Sequence, residues 1–162
     1  MTFFVLDENP VRSANTMCWL DCESASVDGA RIIVSAIKHH GGNTDDLPFE
    51  PIDAHPLVKW AVLSADNTRW LYRFTRASSI KWKGTGYEVL AEQLNAIAAA
   101  IDERIPTGQL TLFGNYFIDG DVMDIATIES NLAYYEQTRK HLRWGDDDPT
   151  ILYGGNQNES NN

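Results

Sequence analysis

No stretch of the chain approaches the ~18 consecutive apolar residues that a membrane-crossing helix needs, because charged residues interrupt every long apolar pattern. Residues 1–6 lack the basic start and small-residue cleavage site of a secretory leader, so a cytoplasmic location and no membrane partner are expected. Cysteine is scarce: Cys18 and Cys22 are the only two, four apart. On a helix that spacing puts both on one face. Zinc takes three or four ligands, and no further Cys-x-x-Cys or His pair completes a set; the adjacent His39 and His40 point in different directions on a helix. Reduced core thiols are expected, with no metal and no cofactor. Positive charge is scarce as well, with 13 Lys and Arg against 23 Asp and Glu and a net charge of −10. Duplex nucleic acid is held by a field of cations that neutralises phosphates, so it is not an expected partner, and the acidic balance reads as a solubilising surface. The chain also has no P-loop, no Rossmann fingerprint, no Gly-x-Ser-x-Gly elbow and no His-Glu-x-x-His, so no residue is assigned a catalytic role by motif.

What is present fits one ordinary domain: 162 residues, 43% of them apolar, with five tryptophans, are enough for a core that needs no disulfide or metal. The expected fold is mostly α, with about five helices and a small N-terminal β element, forming a single helical domain over residues 1–153 and a disordered polar tail over 154–162. The β-prone run 2–6 supplies the strand. Asn9 before Pro10 is a helix start, predicting a helix over 10–22, and a second over 26–40 ends at Gly41-Gly42. A third, opened by His55-Pro56, runs to about residue 75. The Thr85-x-x-Glu88 capping box starts a fourth, whose stripe Tyr87, Leu90, Leu94, Ile97 and Ile101 ends before Pro106. A loop or short hairpin around 110–113 leads to a last helix over 125–144. Self-association into a homo-oligomer stays open.

The most distinctive segment places two small polar residues, Ser64 and Asn67, on one helical face with Trp60 and Leu71. Buried polar groups must be hydrogen-bonded. Either Ser64 and Asn67 tie elements of the fold together, or they reach into a pocket where Trp60 stacks a planar ligand, as proteins hold a free or flipped base. His55 can cap the helix or face the same pocket. Trp82 between Lys81 and Lys83 is a second candidate, because an indole beside two cations suits a base with a phosphate; the bland alternative is a tryptophan covering the core edge. Phosphate contacts are expected from Arg12, Arg31, Arg73 or Lys81.

The order Asn9-Pro10-Val11-x-x-Ala14, Cys18, Ala30 to Ala36, and the block from His55-Pro56 through Trp60, Ser64, Asn67, Trp70 and Leu71 resembles a family of small phage-encoded proteins. Its pattern reads Asp-Pro-Val-x-Ala-Ala, His-Cys-Asp-Lys-His-Val-Val-Lys-Met and His-Pro-x-x-x-Trp-x-x-x-Ser-x-x-Asn-x-x-Trp-Leu, and Tyr134-Tyr135, Lys140, Trp144 and Pro149 are similar to its terminal pattern. Members are labelled as similar to pyrimidine-dimer DNA glycosylases. This chain departs where the family is most polar, carrying Met17-Cys18-Trp19-Leu20-Asp21-Cys22-Glu23-Ser24 without the family's histidines and lysines.

Base excision through a Schiff base needs an activated amine and a carboxylate, and the family's lysines are missing. The expected function is therefore a phage accessory protein that binds a small nucleotide-like ligand in a helical pocket without turnover, sequestering a nucleotide signal of host defence, with His55, Trp60, Ser64, Asn67, Arg31, Arg73 and Trp82 as binding residues. The alternatives are a glycosylase-like nucleotide- or DNA-base-modifying enzyme, and an inhibitor that offers its acidic surface to a host DNA-binding protein.

Overall fold

Asn9 opens the first helix, α1 (Pro10–Thr16), by accepting the N–H groups of Val11 and Arg12 on its Oδ1 at 3.0 and 3.1 Å. Pro10 occupies the first turn, where its missing N–H costs nothing. The computed structural model describes residues 5–82, 87–111 and 128–138. After α1 come α2 (Trp19–His39), α3 (Pro56–Ala61), α4 (Ala65–Trp82), α5 (Tyr87–Arg104) and α6 (Ile128–Thr138). None of the helices among the described residues is long and apolar enough to cross a membrane.

The mostly α architecture holds, but the small N-terminal β element does not: among the described residues there is no β-strand. Val5 and Leu6, the described end of the β-prone run, are buried in the core without a ladder. The Leu6 N–H donates instead to Ser13 Oγ of α1 at 2.9 Å. Apolar burial drives this segment inward, and a side chain answers the donor that a neighbouring strand would have answered.

The first two helical boundaries also shift. The break falls at Met17 and Cys18, both extended with ψ near 152° and 153°, rather than at residues 22–26. Lys81 Nζ donates to the carbonyls of Asn15 and Met17, and Cys18 N–H donates to Tyr135 Oη at 2.6 Å. Partners distant in sequence thus satisfy the backbone groups that the break exposes. At its far end α2 closes as expected. Gly41 takes φ +76°, its N–H reaches Lys38 O at 2.9 Å, and Gly42 N–H reaches Ile37 O at 3.0 Å, a Schellman closure that needs a residue free to be left-handed.

The helix predicted from 55 to 75 is two helices with a turn at 62–64, and the second runs on to Trp82. Its first free donor, Ala65 N–H, bonds Pro106 O at 2.8 Å, from the segment after α5. The capping residue Thr85, residues 112–113, the ends of the helix predicted over 125–144 and the tail at 154–162 lie outside the described residues.

α4 is the hub, packing against α1, α2, α3 and α5. It buries Trp70, Leu71, Phe74 and Trp82 together with small polar residues. Several of those polar residues survive burial by bonding helix carbonyls: Ser78 Oγ donates to Phe74 O at 3.0 Å and Thr68 Oγ1 to Ala61 O at 2.8 Å. One ribbon of α4 escapes burial, and it carries Asp66, Arg69, Tyr72, Arg73, Arg76 and Ile80.

Candidate functional site

That ribbon forms one side of a groove. Arg69, Tyr72, Arg73, Arg76, Ala77 and Ile80 of α4 face Val11 of α1 and Ala98 and Ile101 of α5 across a volume of about 530 Å³. Positions 69, 73 and 76 recur at helical spacing, so three guanidinium groups project from one face of α4. Arg69 is paired with Asp66 at 2.8 Å. Among the described residues no carboxylate pairs with Arg73 or Arg76, and both are exposed. The opposite wall is apolar. Cations that present planar donors beside a tyrosine and aliphatic side chains can take a ligand that is anionic at one end and flat at the other. A second hollow of about 260 Å³ adjoins the first, lined by Pro10, Asp66, Arg69, Trp70, Arg73 and Leu110.

Of the ligand and phosphate contacts expected from the sequence, only Arg73 lines this groove. Trp60 is fully buried, edge-on to Trp70 with ring centroids 6.0 Å apart. Ser64 Oγ accepts Asn67 N–H at 3.2 Å and donates to Gln109 O at 3.0 Å. Asn67 Nδ2 donates to Trp60 O and to Thr111 Oγ1, both at 2.8 Å, while its Oδ1 accepts Thr111 N–H at 2.9 Å. The two polar side chains on the tryptophan stripe fasten the segment after α5 to the α3–α4 turn. Gly108 passes so close that a Cβ there would meet Ser64 Cβ at 2.8 Å. His55 caps α3, its Nδ1 accepting Leu57 N–H at 3.1 Å, and burial holds its pKa below the usual value.

Arg31 lies on α2, where its Nε donates to Glu50 O at 3.3 Å and a terminal nitrogen lies 3.8 Å from Asp28. Arg12 pairs with Asp7 at 3.0 Å. Trp82 is not in a loop: with Lys81 it forms the last turn of α4, and both side chains are buried. The indole of Trp19 donates to the Trp82 carbonyl. Arg69, Tyr72 and Arg76 join Arg73 in the groove without standing out as single residues. The signal that marks them is the 69–73–76 periodicity of positive charge in an otherwise acidic chain.

Around the α1–α2 break sits an interior polar cluster. Tyr135 Oη, besides accepting Cys18 N–H, donates to Asp21 Oδ2 at 2.7 Å, and Cys18 Sγ approaches the same oxygen at 3.2 Å. Cys22 Sγ donates to Cys18 O at 3.4 Å. Burial raises the Cys18 pKa and pushes that of Cys22 up to about 12; it also raises that of Tyr135. Lys81 is enclosed here with its ammonium on backbone carbonyls, an anchoring arrangement. Among the described residues no group of three or more His, Cys, Asp and Glu side chains is placed to hold a metal ion.

Compared with known proteins, the chain matches no family model, no curated protein and no solved structure.

Proposed function

We propose that the chain binds a small nucleotide-like anion, without turnover, in the groove between α1, α4 and α5. The observation that carries this reading is the grouping of Arg69, Arg73 and Arg76 with Tyr72 along one groove in a chain of net charge −10. Arg73 and Arg76 meet the phosphate, since guanidinium groups bond its oxygens in bidentate fashion. The base lies on Tyr72 and between the apolar side chains Ala77 and Ile80 of α4 and Ala98 of α5, where it gains area burial and stacking. This reading moves the ligand from the buried Trp60 stripe to the exposed ribbon of α4 and keeps Arg73 as a contact. The resemblance to phage-encoded proteins supports a purpose for retention without conversion, the sequestration of a nucleotide signal of bacterial defence.

The test is thermal unfolding of the protein against linear and cyclic nucleotides, with the ligand recovered and weighed by mass spectrometry. A ligand bound only by the folded state stabilises it by ~2.7 kcal/mol at a hundredfold excess over its dissociation constant. A raised midpoint with ligand returned intact is expected, together with loss of the shift in Arg73→Ala/Arg76→Ala. No shift with any nucleotide, a shift that survives the double substitution, or a ligand returned chemically altered overturns the proposal.

A further inference from the structure

The two hollows along α4 are not independent, because Arg69 and Arg73 line both. The first, of about 530 Å³, opens toward Tyr72, Ala77, Ile80 and Ala98. The second, of about 260 Å³, opens toward Pro10, Trp70, Leu110 and the carboxylate of Asp66. The shared arginines form the waist between them. From Arg69 to Arg76 the helix axis rises ~10 Å, more than a single phosphate spans.

The charges differ along this length. Arg76 borders the first hollow only, and Asp66 borders the second only. A phosphate deep in the second hollow would have to compete with the Asp66 carboxylate for Arg69, with which it already pairs at 2.8 Å. A ribose hydroxyl or an exocyclic amine there would instead donate a hydrogen bond to that carboxylate. The second hollow therefore suits a neutral, donor-bearing group with an apolar side to lie against Pro10 and Leu110, a description a nucleoside meets.

Resting on the reading above, we infer that the ligand class is a dinucleotide: two nucleosides joined through phosphate, with the phosphates on Arg73, flanked by Arg76 on one side and Arg69 on the other, and one nucleoside in each hollow. A mononucleotide fills the first hollow and leaves the second unused. Covalent joining turns the second contact into an intramolecular one, so affinity rises without a new binding surface.

Calorimetric titration of the full chain with AMP, inorganic pyrophosphate, linear 5′-phosphorylated ApA and diadenosine pyrophosphate tests this. At least one dinucleotide is expected to bind about tenfold or more tightly than AMP, with pyrophosphate weaker than either. Leu110→Glu, which puts a second carboxylate at the second hollow, is expected to bring the dinucleotide's affinity down toward that of AMP. Equal affinity for AMP and both dinucleotides, or a dinucleotide advantage that survives Leu110→Glu, overturns the dinucleotide assignment and leaves the groove reading standing. Failure of AMP and both dinucleotides to bind overturns the groove reading itself.

Discussion

The Asn67 side-chain amide bonds Thr111 twice: it donates to Thr111 Oγ1 at 2.8 Å and accepts the Thr111 N–H at 2.9 Å. With the further bond to Trp60 O, one buried amide joins α3, α4 and the segment after α5. Removing it strands polar partners in a region that water reaches poorly. Asn67→Ala is expected to lower the unfolding free energy by about 2 kcal/mol. Urea titration measures it, and a loss below about 0.5 kcal/mol would mean that the amide contributes no net fastening.

Gly29 and Thr75 set how closely α2 approaches α4. A Cβ at position 29 would lie 2.1 Å from Thr75 Oγ1, a hydroxyl that is buried without a hydrogen-bond partner among the described residues. Gly29→Ala is expected to destabilise by ~1–3 kcal/mol through overpacking. Adding Thr75→Ala removes both the clashing atom and the unpaired hydroxyl, and should recover most of the loss. A double variant no more stable than the single one would place the strain elsewhere.

His55 makes stability depend on pH. Burial lowers its folded pKa below the ordinary value of 6.5, so the native state disfavours the imidazolium. The unfolded chain then binds the proton more readily as pH falls. The contribution is fully present above the unfolded pKa and is lost as pH drops through it toward the folded pKa. His55→Asn retains a capping side chain without the titration, and is expected to flatten the stability profile over that window. An unchanged profile in the variant would assign the slope to other groups.

The thiols of Cys18 and Cys22 should be inert in the folded protein. Both are fully buried and their pKa values are raised, that of Cys22 to about 12, so little thiolate exists at neutral pH. Alkylation by iodoacetamide at pH 8, followed by intact mass, is expected to leave the native chain unmodified and to add two groups in denaturant. Rapid modification of the native chain would contradict the packing around the α1–α2 break.

Tyr135→Phe removes the acceptor of Cys18 N–H and the donor to Asp21 while keeping the ring. The expected cost is about 1–3 kcal/mol, read from chemical denaturation. A variant as stable as the parent would show that the hydroxyl does not hold the break.

The sequence by itself determined the features that depend on near neighbours along the chain. The helical class, the Asn9-Pro10 start, the Gly41-Gly42 stop, the helix start at His55-Pro56 and the apolar stripe of α5 all arise from contacts within a turn or two. A cap is a bond between residues two or three apart, and an amphipathic stripe is a period that the chain itself carries. Only the tertiary structure decided what distant residues impose. Val5 and Leu6 give up a strand because the core takes their side chains and Ser13 takes a donor. The break at Met17 and Cys18 is held by Lys81 and Tyr135, more than sixty and one hundred residues away. The polar pair Ser64 and Asn67 is spent on residues 109 and 111. The groove arises where α5 and α1 come to stand beside the arginine ribbon of α4. The periodicity of that ribbon lies in the chain, but whether a charged face meets solvent or walls a cavity depends on what packs next to it.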